Sequence, residues 1–206
     1  MTTAQLLAIA AAMGWASGLR LYAVVFLTGA AGFMGWVVLP EGLQMLAHPA
    51  VLLASGLMFA LEFFVDKIPG LDTVWDVIHT FIRIPAGAAL AAATMGADAS
   101  TWSVAMALLG GSLAASAHLA KTSTRAAVNT SPEPFSNIGL SLLGDAAVPS
   151  VLWLAWHNPL WLFVALAIAV VLGAVLVWTL MRFLRALWLR YGGQGGGATP
   201  RGTPLT

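Results

Sequence analysis

The chain has no cysteine, and charge is nearly as scarce: nine Lys and Arg and eight Asp and Glu among 206 residues. Without cysteine there are no disulfides, no thiolate catalysis and no Cys-based metal sites. A formal net charge of +1 offers no electrostatic footprint for nucleic acid. No Ser elbow, zincin helix or phosphate-binding glycine loop appears, so hydrolytic chemistry has no recognisable machinery and a non-enzymatic role is favoured. No residue pattern names a cofactor. Met1 to Gln5 carry no Lys or Arg, which argues against a cleavable signal peptide.

Apolar sequence is abundant. Hydrophobic residues make up 60% of the chain and the mean hydropathy is +0.88. Its apolar runs are continuous and not alternating, which favours helices over a barrel. Roughly 20 apolar residues cross a bilayer core as a helix, and this chain offers about six such runs. The reading is an all-α, polytopic membrane helical bundle formed by residues 1–191. Its spans are expected at about 15–38, 49–67, 73–96, 101–122, 136–157 and 159–184. Residues 3–13 either extend the first helix or form a half-helix before Gly14. Pro40, His48-Pro49, Pro69-Gly70, Pro132-Glu133-Pro134 and Asn158-Pro159 mark the divisions. Residues 192–206, rich in Gly, Pro and Thr, read as a disordered tail.

Six spans bring both termini to one side. Lys67, Lys121, Arg125, Arg182, Arg185 and Arg190 fall at one set of loops and span ends, whereas the loops around Glu41, Asp98 and Asn158 hold no Lys or Arg. The positive-inside asymmetry makes that first side cytoplasmic and the location a cell (inner) membrane. Lys67, Lys121, Arg182, Arg185 and Arg190 then read chiefly as anchors that snorkel to the interface.

Two cytoplasm-side hairpins hold nearly all the polar chemistry. One runs from Glu62 through Asp66 and Lys67 to Asp72, Asp76, His79 and Arg83. The other runs from His118 through Lys121, Arg125 and Asn129 to Asn137 and Asp145. Asp72, Asp76, His79 and Arg83 are spaced i, i+4, i+7 and i+11, which sets them on one helix face. His118, Arg125 and Asn129 share a face of the next helix. Ionisable groups inside apolar helices face the bundle interior or a cavity, and Arg20 and Glu62 are expected there. The two stripes are expected to face each other across a hydrated cavity, with Arg83 and His118 as its floor and Asp72 and Arg125 at its mouth. Acids and bases nearly balance, so simple pairing between helices competes with ligand binding as an explanation. The glycine and alanine clusters, among them Gly29, Gly87, Gly110 and Ala114, read as close packing.

Three chemistries fit these residues. Asp72, Asp76 and His79 offer oxygen and imidazole ligands for a metal ion, although Arg83 beside them opposes a cation. Arg83, Lys121, Arg125 and the histidines could receive a phosphate or carboxylate, with Asn129 and Asn137 adding hydrogen bonds. His79 and His118 with Glu62 and Asp145 could relay protons.

Phe64-Val65-Asp66-Lys67-Ile68-Pro69, Trp75-Asp76-Val77-Ile78-His79-Thr80 with Arg83, Pro85 and Gly87, and Asn129-Thr130-Ser131-Pro132-Glu133-Pro134 resemble an integral-membrane family of bacteria and plants catalogued as domain of unknown function 4126. Ser17-Gly18-Leu19-Arg20 is similar to its first-helix motif. The likeness extends to about Leu180. It implies a small helical membrane protein and supplies no activity. The functional expectation is a transporter or channel-like protein whose polar, cytoplasm-facing vestibule is walled by helices two to five and lined by Arg20, Glu62, Asp66, Asp72, Asp76, His79, Arg83, His118, Lys121, Arg125, Asn129, Asn137 and Asp145. The alternatives are a membrane enzyme or lipid-headgroup handler acting on a phosphorylated lipid, and a non-catalytic scaffold. The expected partners are the lipid bilayer, a small solute, ion or headgroup, and a second copy of the chain.

Overall fold

The computed structural model describes residues 1–68, 70–96, 101–129 and 134–191. The expected tail at 192–206, Glu133 and Asp98 lie outside them. The described residues form six α-helices and one 3-10 helix, with no strand among them: α1 (Thr3–Phe33), the 3-10 helix (Glu41–Ala47), α2 (Pro49–Val65), α3 (Leu71–Ala93), α4 (Thr101–Val128), α5 (Pro134–His157) and α6 (Pro159–Tyr191). α1, α4, α5 and α6 have the length and hydropathy that a bilayer crossing requires, and α2 joins them if it is counted with the 3-10 helix, from which it is bent by 71°. α3 is long enough, but Asp72, Asp76 and Arg83 interrupt its apolar character. α3 and α5 continue through Pro85 and Pro149.

The first helix departs from expectation. α1 is two helical arms meeting at Arg20, whose backbone is extended (φ −149°, ψ 88°). Thr28 Oγ1 lies 3.5 Å from Met13 Sδ, whereas residues fifteen apart in an unbroken helix are about 22 Å apart along the axis. The arms therefore fold back on one another. In the first arm, Gly14 packs on Gly110 and Gly18 on Ala114, so it runs parallel to α4. In the second arm, Tyr22 meets His79, Phe26 stacks on Phe59 and Gly29 abuts the Leu46 carbonyl. That order runs antiparallel to α2.

The bundle thus has an upper end, where the 3-10 helix contacts Ala93 through Gly42 and Trp156 Nε1 donates to the Val38 carbonyl at 3.1 Å. It has a lower end at the α2–α3 turn. α1 enters from the upper end, turns at Arg20 and returns to the upper end. Residues 15–38 are not one continuous helix: the chain reverses direction five residues into that segment. The N-terminal end of α1 and the C-terminal end of α6 consequently lie at opposite ends of the bundle.

The upper half is packed from small residues. Ala8, Ile9, Ala12, Met13 and Ala16 of α1 meet Val148, Leu152 and Ala155 of α5 and Leu162 and Leu166 of α6 in one buried cluster. Gly14, Gly87 and Gly110 join α1, α3 and α4 at a point where a Cβ on any one would collide with a neighbouring helix. Backbones this close require glycine, and this contact draws the three helices together just above the charged residues.

Candidate functional site

Arg20, at the tip of the folded-back α1, points into the lower half of the bundle. Its guanidinium Nη2 lies 3.1 Å from Asp66 and 3.0 Å from Asp145, and donates to Ser141 Oγ at 2.8 Å. The break that creates the tip frees backbone groups. The Leu19 carbonyl accepts from Lys121 Nζ at 3.1 Å.

Around this tip the ion pairs form one connected lattice. Arg83 bridges Glu62 and Asp76, each at 2.6 Å. Lys121 bridges Asp76 and Asp66, each at 3.1 Å. Arg125 pairs with Asp72 at 2.8 Å and lies 3.4 Å from Asp66. Lys67 closes the far edge on Asp145 at 3.1 Å, with its ammonium over the Phe63 ring. Five acids (Glu62, Asp66, Asp72, Asp76, Asp145) meet five bases (Arg20, Lys67, Arg83, Lys121, Arg125). Formal neutrality is what allows so many charges to be buried together.

Local structure sets the donors. Asp72 lies in the first turn of α3, where its Oδ1 accepts from the Gly70 and Thr73 amides at 2.8 and 2.7 Å. Its Oδ2 accepts from Asn137 Nδ2 at 3.3 Å, and Asn129 Nδ2 reaches both oxygens at 3.4 Å. Thr80 Oγ1 and His118 Nε2 are hydrogen-bonded at 2.7 Å, and Arg83 Nη1 lies 3.5 Å from His118 Nδ1.

The expected residues therefore converge, with one exception and three corrections. His79 stands apart from the ion pairs: it bonds Tyr22 Oη at 3.2 Å and the Trp75 carbonyl at 2.8 Å, and its ring stacks on Trp75. The metal set Asp72, Asp76 and His79 does not assemble, because the first two are committed to cations and the third to Tyr22. No group of three metal-ligating side chains meets among the described residues. The expected mouth is closed: Asp72 is fully buried and Arg125 is 3% exposed, since each screens the other. Lys121 is not an interfacial anchor, because it is held inside the lattice.

Arg20 and Glu62 are buried, in keeping with the cost of exposing either to an apolar phase. Several buried polar atoms nevertheless lack a hydrogen-bond partner, among them Arg20 Nη1, Glu62 Oε2, Arg83 Nε, Asp76 Oδ2 and Asn137 Oδ1. Two cavities flank the lattice. One, of about 230 Å³, lies between α1, α4 and α5 with Arg20, Asp66, Lys121, Arg125 and Ser141 in its wall. The other, of about 400 Å³, lies between α3 and α4 against Thr73, Asp76, Thr80, His118, Thr122 and Arg125. Arg125 borders both.

Sequence reasoning missed Ser141 and Tyr22. Asn137, Ser141 and Asp145 are spaced i, i+4, i+8 and form a third polar stripe, a signal that was available on α5. Tyr22 had no such signal, since only the fold-back at Arg20 turns it toward His79.

The family described as a domain of unknown function, DUF4126, matches residues 7–180, and the chain belongs to that family. No curated protein and no solved structure matches it.

Proposed function

We propose that this chain is a multi-pass membrane protein that translocates a small charged solute or ion, with the buried lattice around Arg20 as its site in a closed state. The observation that carries this reading is the reversal of α1 at Arg20. Irregular backbone at depth in a bilayer is tolerated only where protein buries it or where it lines a cavity. Transporter sites are commonly built where broken helices present backbone groups beside charged side chains. Here the Leu19 carbonyl and Arg20 enter the lattice together. In this arrangement α2 to α6 cross the membrane and α1 is re-entrant. The exposed Arg182 and Arg185 support a cytoplasmic lower end under the positive-inside rule.

Conduction requires the Asp72–Arg125 and Asp66–Lys121 pairs to open, joining the cavities on either side of Arg125. The test is flux in proteoliposomes under an imposed voltage, with potassium, chloride, phosphate and protons offered in turn. Arg20→Gln should abolish the flux while the protein still elutes as a folded species. Absence of flux for every solute from folded wild-type protein would favour the alternative, a scaffold in which the pairs serve only to hold helices together.

A further inference from the structure

We propose that the cleft between α4 and α5 is a binding site for an anionic phospholipid, its phosphate held by Lys121, Arg125 and Arg20 and an acyl chain lying along α6. The proposal does not depend on transport.

Charge in the lattice is balanced in sum and uneven in space. The acids Glu62, Asp72 and Asp76 belong to the α2 and α3 side. The cavity that opens toward α5 is walled by three cations, Arg20, Lys121 and Arg125, against one carboxylate, Asp66, which all three already share. Asp145 offsets Arg20 from the outer edge without lining that cavity. The excess in the wall is cationic, and Arg20 Nη1 is a buried donor with no acceptor. Ser141 adds a hydroxyl at the same wall. A phosphate diester has the oxygens to meet this set, because guanidinium and ammonium donors pair with it in charge-assisted bonds.

The surroundings specify what the phosphate is attached to. α4 and α5 share few contacts, so the cavity is bordered by Leu140, Leu143 and Ala147 on one side and Ala120 and Thr124 on the other. It shares Trp15, Leu19 and Ala120 as wall with a second cavity of about 350 Å³ between α1, α4 and α6. That second wall is almost wholly apolar, including Ala169, Val170, Gly173 and Val177. A pocket walled by cations and adjoining an apolar groove fits a molecule that is anionic at one end and hydrocarbon at the other. A free anion would leave the groove without purpose, and a zwitterionic lipid would bring a second cation toward Arg20 and Lys121.

Native mass spectrometry and thermal unfolding of the detergent-purified chain test this with three probes: dioleoyl phosphatidylglycerol, dioleoyl phosphatidylcholine and inorganic phosphate. Expected are one retained phosphatidylglycerol per chain and a saturable rise in melting temperature that the other two do not produce. Lys121→Gln should weaken phosphatidylglycerol binding at least about tenfold, equivalent to about 1.4 kcal/mol. Because that variant disturbs the lattice, Ala147→Phe serves as an independent check. It fills the apolar mouth, leaves every charge in place and should abolish the lipid-dependent rise. Equal stabilisation by both lipids would overturn the proposal, as would unchanged selectivity in Ala147→Phe. Stabilisation by inorganic phosphate to the same extent would assign the pocket to a free anion and overturn the lipid assignment. Each of these readouts is separate from flux.

Discussion

The two halves of this bundle solve the same packing problem in opposite ways. In the upper half, α1, α3 and α4 approach until backbone touches backbone at Gly14, Gly87 and Gly110, and the interior is alanine and aliphatic. In the lower half the space between helices is filled by long charged side chains in mutual contact. A glycine junction holds through van der Waals contact and tolerates no added atom. An ion-pair lattice holds only while every partner is present, and it leaves cavities at its edges. The tight half fixes where the helices are. The loose half is where rearrangement costs least, because ion pairs can exchange partners without moving backbone.

The largest expected effect is all-or-none and concerns which half the N-terminus belongs to. Single cysteines at Thr3, Asn158 and Arg185 of this Cys-free chain, exposed to an impermeant thiol reagent in intact cells, should label at Thr3 and Asn158 and not at Arg185. Labelling of Thr3 together with Arg185, and not with Asn158, would break the fold-back of α1 and with it the division into halves.

Next in size is the removal of a shared acid from the lattice. Asp66→Asn removes the acid that Arg20, Lys121 and Arg125 share, leaves the lattice one positive charge in excess and should cost about 3–5 kcal/mol, the usual effect of leaving buried charge uncompensated. Thermal unfolding in detergent measures it. The double variant Glu62→Gln with Arg83→Met should be less damaging than Glu62→Gln alone, because it removes both members of a pair. If single and double variants are equally mild, the lattice contributes little and the contrast between the halves disappears.

In the upper half, Gly18→Ala should cost roughly 1–3 kcal/mol, since its methyl would meet the Ala114 carbonyl and force α1 from α4. Gly139→Ala is the matched control. Its Cβ would meet nothing, so in a helix it should be neutral or stabilising by about 0.5–1 kcal/mol. A coupling of roughly 0.5–3 kcal/mol is expected between Asp72 and Arg125 in a double-mutant cycle. It should exceed the coupling between Asp76 and Arg125, whose closest atoms are 4.0 Å apart.

Much of the charged half was legible in the residues themselves. Asp72, Asp76 and Arg83 lie on one face because helical periodicity sets them there, and His118 and Arg125 follow the same rule on α4. Burial of Arg20 and Glu62 follows from the cost of lipid exposure. His79 shows the limit of that reasoning: it shares the face of Asp76, yet its ring turns to Tyr22 and Trp75. Periodicity assigns a residue to a face and cannot choose its partner.

What the sequence by itself determined is the inventory: helices of spanning length, scarce charge gathered mostly in two hairpins, acids and bases in near balance, and glycines where helices must touch. These depend on composition and on the fixed 3.6-residue turn, both local properties. Only the tertiary structure decided that α1 reverses at Arg20, that Asp72 and Arg125 close what would have been a mouth, and that cations outnumber acids on the side facing α5. No proline marks the break in α1. An extended residue within an apolar helix is stabilised only by what meets it there, namely Asp66, Ser141, Asp145 and Lys121, which lie 46 to 125 positions further along the chain.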